Sequence, residues 1–574
     1  MIEYCADFET TAYDPEETRV WAWGIVNLDN FNDLHTGKDI DSFMDFFQHK
    51  KGSSKVWFHN LKFDGEFILY WLLTHGYEHV RKISDAKDKT FTTIIASTGQ
   101  FYAIEIYFIK KNKRSKKLII YDSLKVIPFK VKEIPKKFGL QKSKGEIDYT
   151  KYREIGYEMT EEEKDYLLHD IIIVAEAMQF FRKQKLTKMT IGSNALMEYK
   201  KMIGKWQFEK LFPTLDYETD TAIRLSYRGG YVYLNKNFAC KEIGQGKVFD
   251  VNSLYPWVMK EKVIPYGVPV FFDGKYQEDN LYPLYVQLFK CQFTLKDGKL
   301  PTLMLNNDLT FRPGEYLESS EGENVTLCMT SVDLKLFFEH YHVFDIEYIN
   351  GYKFKGKKGL FDEYLDKWFK VKEENSDKIT GIEGLRTLAK LMLNNLYGKL
   401  ATNPKTQSKI PYLGEDGSVK YKNTEKEERK SVYIPAGTFI TSYAREKTIR
   451  SAQLNLSRFI YADTDSLHIC GLEAPKGLLV DDKKLGYWAE EQIFSRAKFL
   501  MAKTYIEEVN GKLKITCAGM PEDCYKKVTY ENFSISQEFY GKKFIKHVKG
   551  GIYLETGNHT IREKKPRTKK KAPV

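Results

Sequence analysis

Residues 461–466 read "YADTDS", just after an apolar stretch and just before "LHICG". Two carboxylates, Asp463 and Asp465, stand two positions apart in what otherwise has the pattern of a β-hairpin. A plain turn needs only one Asp or Asn, and like charges held side by side repel. Two readings follow: a solvated surface turn, or ligands for a bound cation. A second acid at the same place favours the cation, and "DVNSLYP" (250–256) offers one. Its Asp250 ends an apolar strand and is followed by a turn and Tyr255. If the two strands are neighbours, Asp250 and Asp465 can bracket two divalent ions suited to phosphoryl transfer.

Between these segments lies "RTLAKLMLNNLYG" (386–398). Arg386, Lys390, Asn394 and Tyr397 fall at i, i+4, i+8 and i+11, one stripe of a helix, while Leu388, Leu391, Met392 and Leu396 can pack on the other side. Such a stripe is either solvated or suited to a triphosphate with a base stacked on Tyr397. Lys372, on the preceding predicted helix, can add a third cation.

A second set of acids sits in the N-terminal third. "DFET" places Asp7 and Glu9 on one face of a strand. Asp64 follows in "HNLKFDGEF" at a strand-to-helix junction. Asp170 lies one helical turn after Tyr166, so carboxylate and phenol share a face. Each acid alone is an ordinary cap or surface acid. Together they form a set of hard oxygen ligands for two cations roughly 4 Å apart, an arrangement for phosphodiester hydrolysis in which Tyr166 orients the attacking water.

The 574 residues exceed what one core supports and imply two to four domains. Hydrophobic content of 42% with 14% aromatics argues against global disorder. No apolar run reaches membrane-spanning length, and the acidic "MIEYCADFET" is not a signal peptide. Seven scattered cysteines, without a C-x-x-C pair, read as reduced cytosolic thiols. The net charge of +12 is unevenly placed. From Lys542 to Lys571, 11 Lys/Arg face only Glu555 and Glu563, giving +9, with further basic runs at 110–117 and 353–359. Solvated loops account for one such run; several interleaved with Tyr and Phe favour nucleic acid as partner.

The first ~190 residues alternate strands and helices, including a long helix opened by a capping box at Thr160 and Glu163. The pattern is β-rich from Leu215 to Pro265, then becomes a unit of short strands to about Gly359. Two helices, a polar Lys-rich hairpin at about 402–430, a further β-rich stretch with "YADTDS" and a basic tail complete the chain.

Taken in order, D-x-E, N-x-x-x-D (Asn60, Asp64), Y-x-x-x-D, "YRGG" (227–230), D-x-x-S-L-Y-P, K-x-x-x-N-x-x-Y-G, "TSYAR" (441–445), Y-x-D-T-D-S and "KTY" (503–505) resemble the family B DNA polymerases, specifically the protein-primed phage replicases. That resemblance covers about Asp7 to Gly551. It implies an α/β multidomain chain: an RNase H-like DEDDy 3′–5′ exonuclease domain followed by a right-hand polymerase of palm, fingers and thumb, with two insertions. The corresponding spans are 1–190 exonuclease, 191–261 palm, 262–359 first insertion, 360–401 fingers, 402–433 second insertion, 434–520 palm and 521–574 thumb with tail. In the family the first insertion engages a terminal protein and template, and the second encircles DNA for processivity and strand displacement.

The resemblance further implies Mg²⁺, two per active site with Mn²⁺ as substitute. Asp7, Glu9, Asp64 and Asp170 would hold them in the exonuclease. Asp250, Asp465 and the Val251 carbonyl would hold them in the palm, with Asp463 in support. Lys144 would stabilise charge on the scissile phosphate, and Thr10, His59, Asn60, Phe67, Ser123, Leu124 and Tyr149 would grip the single-stranded 3′ end. Tyr255 would be the gate against a ribose 2′-OH, beside Ser253 and Leu254. Lys372, Arg386 and Asn394 would bind nucleotide, with Lys390 donating a proton to pyrophosphate. Tyr227, Arg228, Gly229, Gly230, Thr441, Arg445, Lys503 and Tyr505 would contact DNA, Lys503 at the primer terminus. Two departures stand out: Asn395 where Ser is common, and Arg386 where Lys is expected. Expected partners are template, primer, dNTPs and a terminal protein, with a monomer acting in the cytoplasm of an infected bacterium. Extension of ordinary nucleic-acid primers is the alternative within enzymes. An inactive nucleic-acid-binding scaffold is opposed by the complete set of carboxylates.

Overall fold

The computed structural model describes residues 1–563 apart from 12–13, 112–113, 142–144, 146, 150, 305–315 and 377–380. Lys144 and the basic tail from 564 onward therefore lie outside the described residues. Among the described residues no helix is long and apolar enough to cross a membrane, and all seven cysteines are free thiols.

The N-terminal third is built on an eight-stranded mixed sheet. Its strand Ile2–Thr10 is flanked by Val20–Asn27, antiparallel, and by Ser54–Phe58, parallel, so a strand bearing acids is buried between two neighbours. The helix Glu161–Lys183 lies across it. Thr160 accepts from the Glu163 N–H at 3.2 Å and Glu163 from the Thr160 N–H at 3.1 Å, the predicted capping box. The helix Leu61–Thr74 covers the other face and is apolar nearly all round, because it is covered on both sides.

The central sheet has five antiparallel strands in the order Trp488–Phe494, Gly246–Val251, Ser466–Cys470, Phe459–Asp463 and Val232–Leu234. One face, with Phe249, Val251, Ala462 and Leu467, packs on the helices Glu383–Leu400 and Ile434–Leu454. The other, with Val248 and Tyr461, packs on a second sheet that includes Arg496–Met501 and Thr504–Val509. Two expectations need correction. Within the stretch expected to be β-rich, Asp216 caps a helix, Tyr217–Arg224, by accepting from the Thr219 N–H at 2.8 Å. The 21-residue helix Ile434–Leu454 stands where β-rich sequence was expected. Its Thr, Ile and Phe content mimics a strand, but Pro435 fits a helix's first turn, and burial around the helix leaves no amphipathic period.

The span 262–359 forms its own four-stranded sheet, from Ile264–Asp273, Leu284–Leu295, Val325–Thr330 and Tyr341–Lys357. Two small hairpins occupy 405–428, and a long one pairs Glu538–Val548 with Gly551–Thr560. Both sets dock on the helix Leu61–Thr74 through one buried acid. Glu66 accepts from the Tyr421 hydroxyl at 2.6 Å and pairs with His547 Nε2 at 3.2 Å, while Val419 and Ile552 join the apolar core around it. Replacing Glu66 by Ala leaves the Tyr421 hydroxyl without its acceptor and is expected to cost about 1–3 kcal/mol of unfolding free energy. Denaturant unfolding measures this, and limited proteolysis should open first at 405–428.

Candidate active sites

The first cluster forms where three strands of the central sheet end. Asp250 is opposite Ser466, and the Val251 N–H donates to the Asp465 carbonyl at 2.8 Å, which fixes two acids more than 200 residues apart in sequence. Burial first, then Asp465 and Glu491, push Asp250 from 3.8 to about 7. Burial and Asp463 raise Asp465 to about 6. Asp463 differs: Lys503 Nζ sits 2.9 and 2.7 Å from its two oxygens, and the Tyr461 hydroxyl donates to it at 3.1 Å. Lys503, expected at a primer terminus, pairs with Asp463 here, and this pair with Tyr461 braces the hairpin.

Glu491 is a residue sequence reasoning missed. Val248 pairs with Gln492 and Phe249 with Glu490, so Glu491 is the extra residue of a β-bulge beside Asp250. No motif contains it; only strand pairing reveals it.

Arg386, Lys372 and Lys390 lie close to one another, two of them on the helix Glu383–Leu400, whose later turn brings Tyr397 to this site. Burial lowers both lysines, and Arg386 lowers each further by like-charge repulsion. Arg386 Nη1 reaches Glu383 at 3.2 Å, and its Nε is buried with no hydrogen-bond partner among the described residues. Asn394 is exposed on the same stripe. Tyr397 is covered by Tyr255, with centroids 3.8 Å apart and planes at 19°, so that face is closed to the base expected there. Ser253 takes φ 54° to start the helix Leu254–Glu261; the Leu254 side chain enters the core and leaves only its backbone near the site.

The "YRGG" loop backs the hairpin that carries Asp463 and Asp465. The Thr464 N–H donates to the Tyr231 carbonyl at 2.8 Å, and a Cβ on Gly230 would lie 2.5 Å from Thr464 Oγ1. Arg228 turns inward, donating to the carbonyls of Ser226 and Cys328 at 3.2 and 2.9 Å, while Tyr227 is half-buried. Arg445 and Thr441, expected to touch DNA, are 2% and 1% exposed. Arg445 pairs with Asp333 at 2.5 Å and donates to the carbonyls of Arg228 and Gly229 at 2.6 and 2.8 Å, so it holds the loop instead. Tyr505 stacks on Phe499 at 4.6 Å, within the aromatic layer under the hairpin.

The second cluster gathers Asp7 and Glu9 on the strand Ile2–Thr10, Asp64 in the first turn of Leu61–Thr74 and Asp170 on Glu161–Lys183. Burial, then Asp7 and Glu9, push the Asp64 carboxyl well up. Tyr166 and Tyr149 join hydroxyls at 2.8 Å; burial raises the Tyr166 phenol, with Asp170, Glu9 and Asp7 adding to it. Asn60, at φ 73°, and Leu124 both donate backbone N–H groups to Asp122 at 3.0 Å. Thr10 lies at the strand end beyond a bulge after Glu9. Two expected DNA contacts, Phe67 and Ser123, are interior, and His59 is half-buried with both ring nitrogens engaged. Phe67 is buried against Gly551. His59 uses Nδ1 toward the Ser123 hydroxyl at 2.9 Å and Nε2 toward the Phe129 carbonyl at 2.7 Å. Ser123 is fully buried and donates to the Phe58 carbonyl at 3.0 Å.

Among the described residues no three acids close tightly enough on one point to hold an ion as they lie. The donor set nevertheless fits divalent cations. It is made of hard carboxylate oxygens whose mutual repulsion a cation removes, and Asp64 Oδ1 is buried without a hydrogen-bond partner among the described residues.

Gly230→Ala is expected to displace Thr464 and lower primer extension at least about tenfold, the loss that a ~1.4 kcal/mol barrier change produces. Degradation of single strands should persist. Adding Thr464→Gly, which removes the clashing side chain and suits φ 62°, should restore part of the extension rate.

The family described as DNA polymerase type B, organellar and viral, matches residues 47–481. The chain is 44% identical over 579 residues to the DNA polymerase of Bacillus phage phi29, covering 97% of this chain and 99% of that one. It is 32% identical to the DNA polymerase of Streptococcus phage Cp-1, covering 98% of each. A solved structure of phi29 DNA polymerase with primer-template DNA and incoming nucleotide aligns at a TM-score of 0.91 and 43% identity, over 98% of this chain and all of that one. With its motifs in the family's order and relatives matched end to end, this chain belongs to the type B DNA polymerases, organellar and viral.

Proposed function

We propose that this DNA polymerase copies a phage genome by protein-primed, processive, strand-displacing synthesis, with 3′–5′ proofreading in the same chain. The observation that carries the reading is the presence of two separate carboxylate clusters on two sheets, one of them reached by the helix that also bears Arg386 and Lys390, with Lys372 close to both. Divalent ions, Mg²⁺ with Mn²⁺ as substitute, would be held by Asp250, Asp465 and the Val251 carbonyl at one site, and by Asp7, Glu9, Asp64 and Asp170 at the other. Such ions activate an oxygen nucleophile and stabilise charge on the leaving oxygen.

The protein's own residues do the rest. Lys372, Arg386 and Lys390 bind the triphosphate. Lys390, its ammonium made more acidic by burial and by Arg386, gives a proton to the departing pyrophosphate. Tyr255, fixed by stacking on Tyr397, presents a rigid wall to the sugar and excludes a 2′-hydroxyl. At the other site Tyr166 orients the attacking water; with its phenol raised by burial it remains protonated. The sheet at 264–357 is the surface for a terminal protein and template. The hairpins at 405–428 and 538–560, anchored together at Glu66, hold DNA for a chain that acts as a monomer.

Asp465→Ala should abolish primer extension and leave 3′ degradation of single strands. Asp7→Ala with Glu9→Ala should do the reverse, and parallel loss of both activities in either variant would contradict two independent sites. Protein priming is tested by transfer of the first dNMP to a hydroxyl of the cognate terminal protein. Failure there, with DNA primers still extended, favours ordinary primers instead.

A further inference from the structure

One face of the central sheet presents its side chains in two adjacent rows, most of them polar. The outer row runs Asp463, Ser466, Asp250 and Ala489 across four strands. The row beneath runs Tyr461, His468, Val248 and Gln492. Side chains two positions apart along a strand share a face, so the lower row is the floor on which the catalytic row stands.

Glu507, from the second sheet, lies against that floor and is fully buried. Its two oxygens have different partners: Oε1 meets His468 Nδ1 at 2.7 Å, and Oε2 accepts from Gln492 Nε2 at 2.7 Å. The carboxylate thus spans the strand Gly246–Val251, joining its neighbours on both sides. Lys514 Nζ donates to Gln492 Oε1 at 2.7 Å and lies 3.8 Å from Glu491. Gln492 is adjacent to Glu491, the bulged residue opposite Val248 and Phe249, whose charge reaches Asp250 and Asp465. A buried carboxylate costs more than an apolar side chain of the same shape unless its bonds are needed. Here they fix a bulge and a strand spacing, neither of which apolar packing specifies.

We propose that Glu507 is a positioning residue of the polymerisation site: through Gln492 it fixes the bulge that sets the edge strand against the strand bearing Asp250, and through His468 it holds the strand following Asp465. The proposal rests on reading Asp250 and Asp465 as the ion-holding pair. Glu507 touches neither nucleotide nor DNA, so its loss acts on ion affinity rather than on DNA grip.

The test uses the full chain with Glu507→Gln, which keeps the shape and removes the charge, and Gln492→Met, which removes one partner at a half-buried edge position. The Mg²⁺ concentration giving half-maximal extension should rise on the order of tenfold in both, as outer partners of ligands typically require. Mn²⁺ binding, followed by the EPR signal of free Mn²⁺ in chains that also carry Asp7→Ala and Glu9→Ala, should weaken by the same factor. With Asp7 and Glu9 intact, single-strand degradation and the Kd for primer-template should stay within about twofold. Unchanged Mg²⁺ and Mn²⁺ dependence would overturn the proposal, as would extension and degradation falling together with the thermal midpoint in Gln492→Met. If Glu507→Gln folds poorly, Gln492→Met decides. Full extension by Asp465→Ala would instead refute the site reading beneath it.

Discussion

Bringing buried carboxylates together is the constraint on which the rest of this structure depends. Asp250 and Asp465 repel, and burial raises the cost, yet a backbone hydrogen bond from Val251 to Asp465 and the pairing of Asp250 with Ser466 hold them adjacent. Everything near them serves that placement. Lys503 cancels the third charge at Asp463, Gly230 gives Thr464 the room its left-handed turn needs, and the Arg445–Asp333 pair fixes the loop behind.

The second site solves the same problem differently. Its acids come from a central strand and two helices on opposite faces of one sheet, so packing rather than a hairpin brings them together. The two sites share a chain but no strand. They are joined by side chains such as Glu66, on the helix Leu61–Thr74, which binds Tyr421 and His547 from two later segments. That arrangement couples how the later hairpins sit to the helix that begins with Asp64.

The order and spacing of the acids were legible in the sequence because the chemistry allows few substitutes for them. Which neighbouring residues face inward was not. Arg445, Thr441, Phe67, His59 and Ser123 belong to recognisable motifs, yet each side chain is spent on carbonyls, hydroxyls or core packing. A motif records that a position matters, not whether it matters by touching a ligand or by holding what does. The helix Ile434–Leu454 was illegible for the opposite reason, since a helix buried on most sides has no period to read. Glu491 and Glu507 carry no motif; a bulge and a contact between sheets give them their roles, and both arise only from strand pairing.

The central claim is that the gathered acids are strained without cations and relieved by them. Asp250, raised from 3.8 to about 7 in the fold, makes the metal-free protein lose stability as pH rises through that window, since the unfolded chain releases the proton more readily. The most direct measurement is the thermal midpoint at pH 8 as Mn²⁺ is added, for the natural chain and for one carrying Asp7→Asn, Glu9→Gln, Asp250→Asn and Asp465→Asn. The account predicts a higher metal-free midpoint in the substituted chain, and a rise with Mn²⁺ confined to the natural one. Equal metal-free midpoints, with equal rises in both, would contradict it.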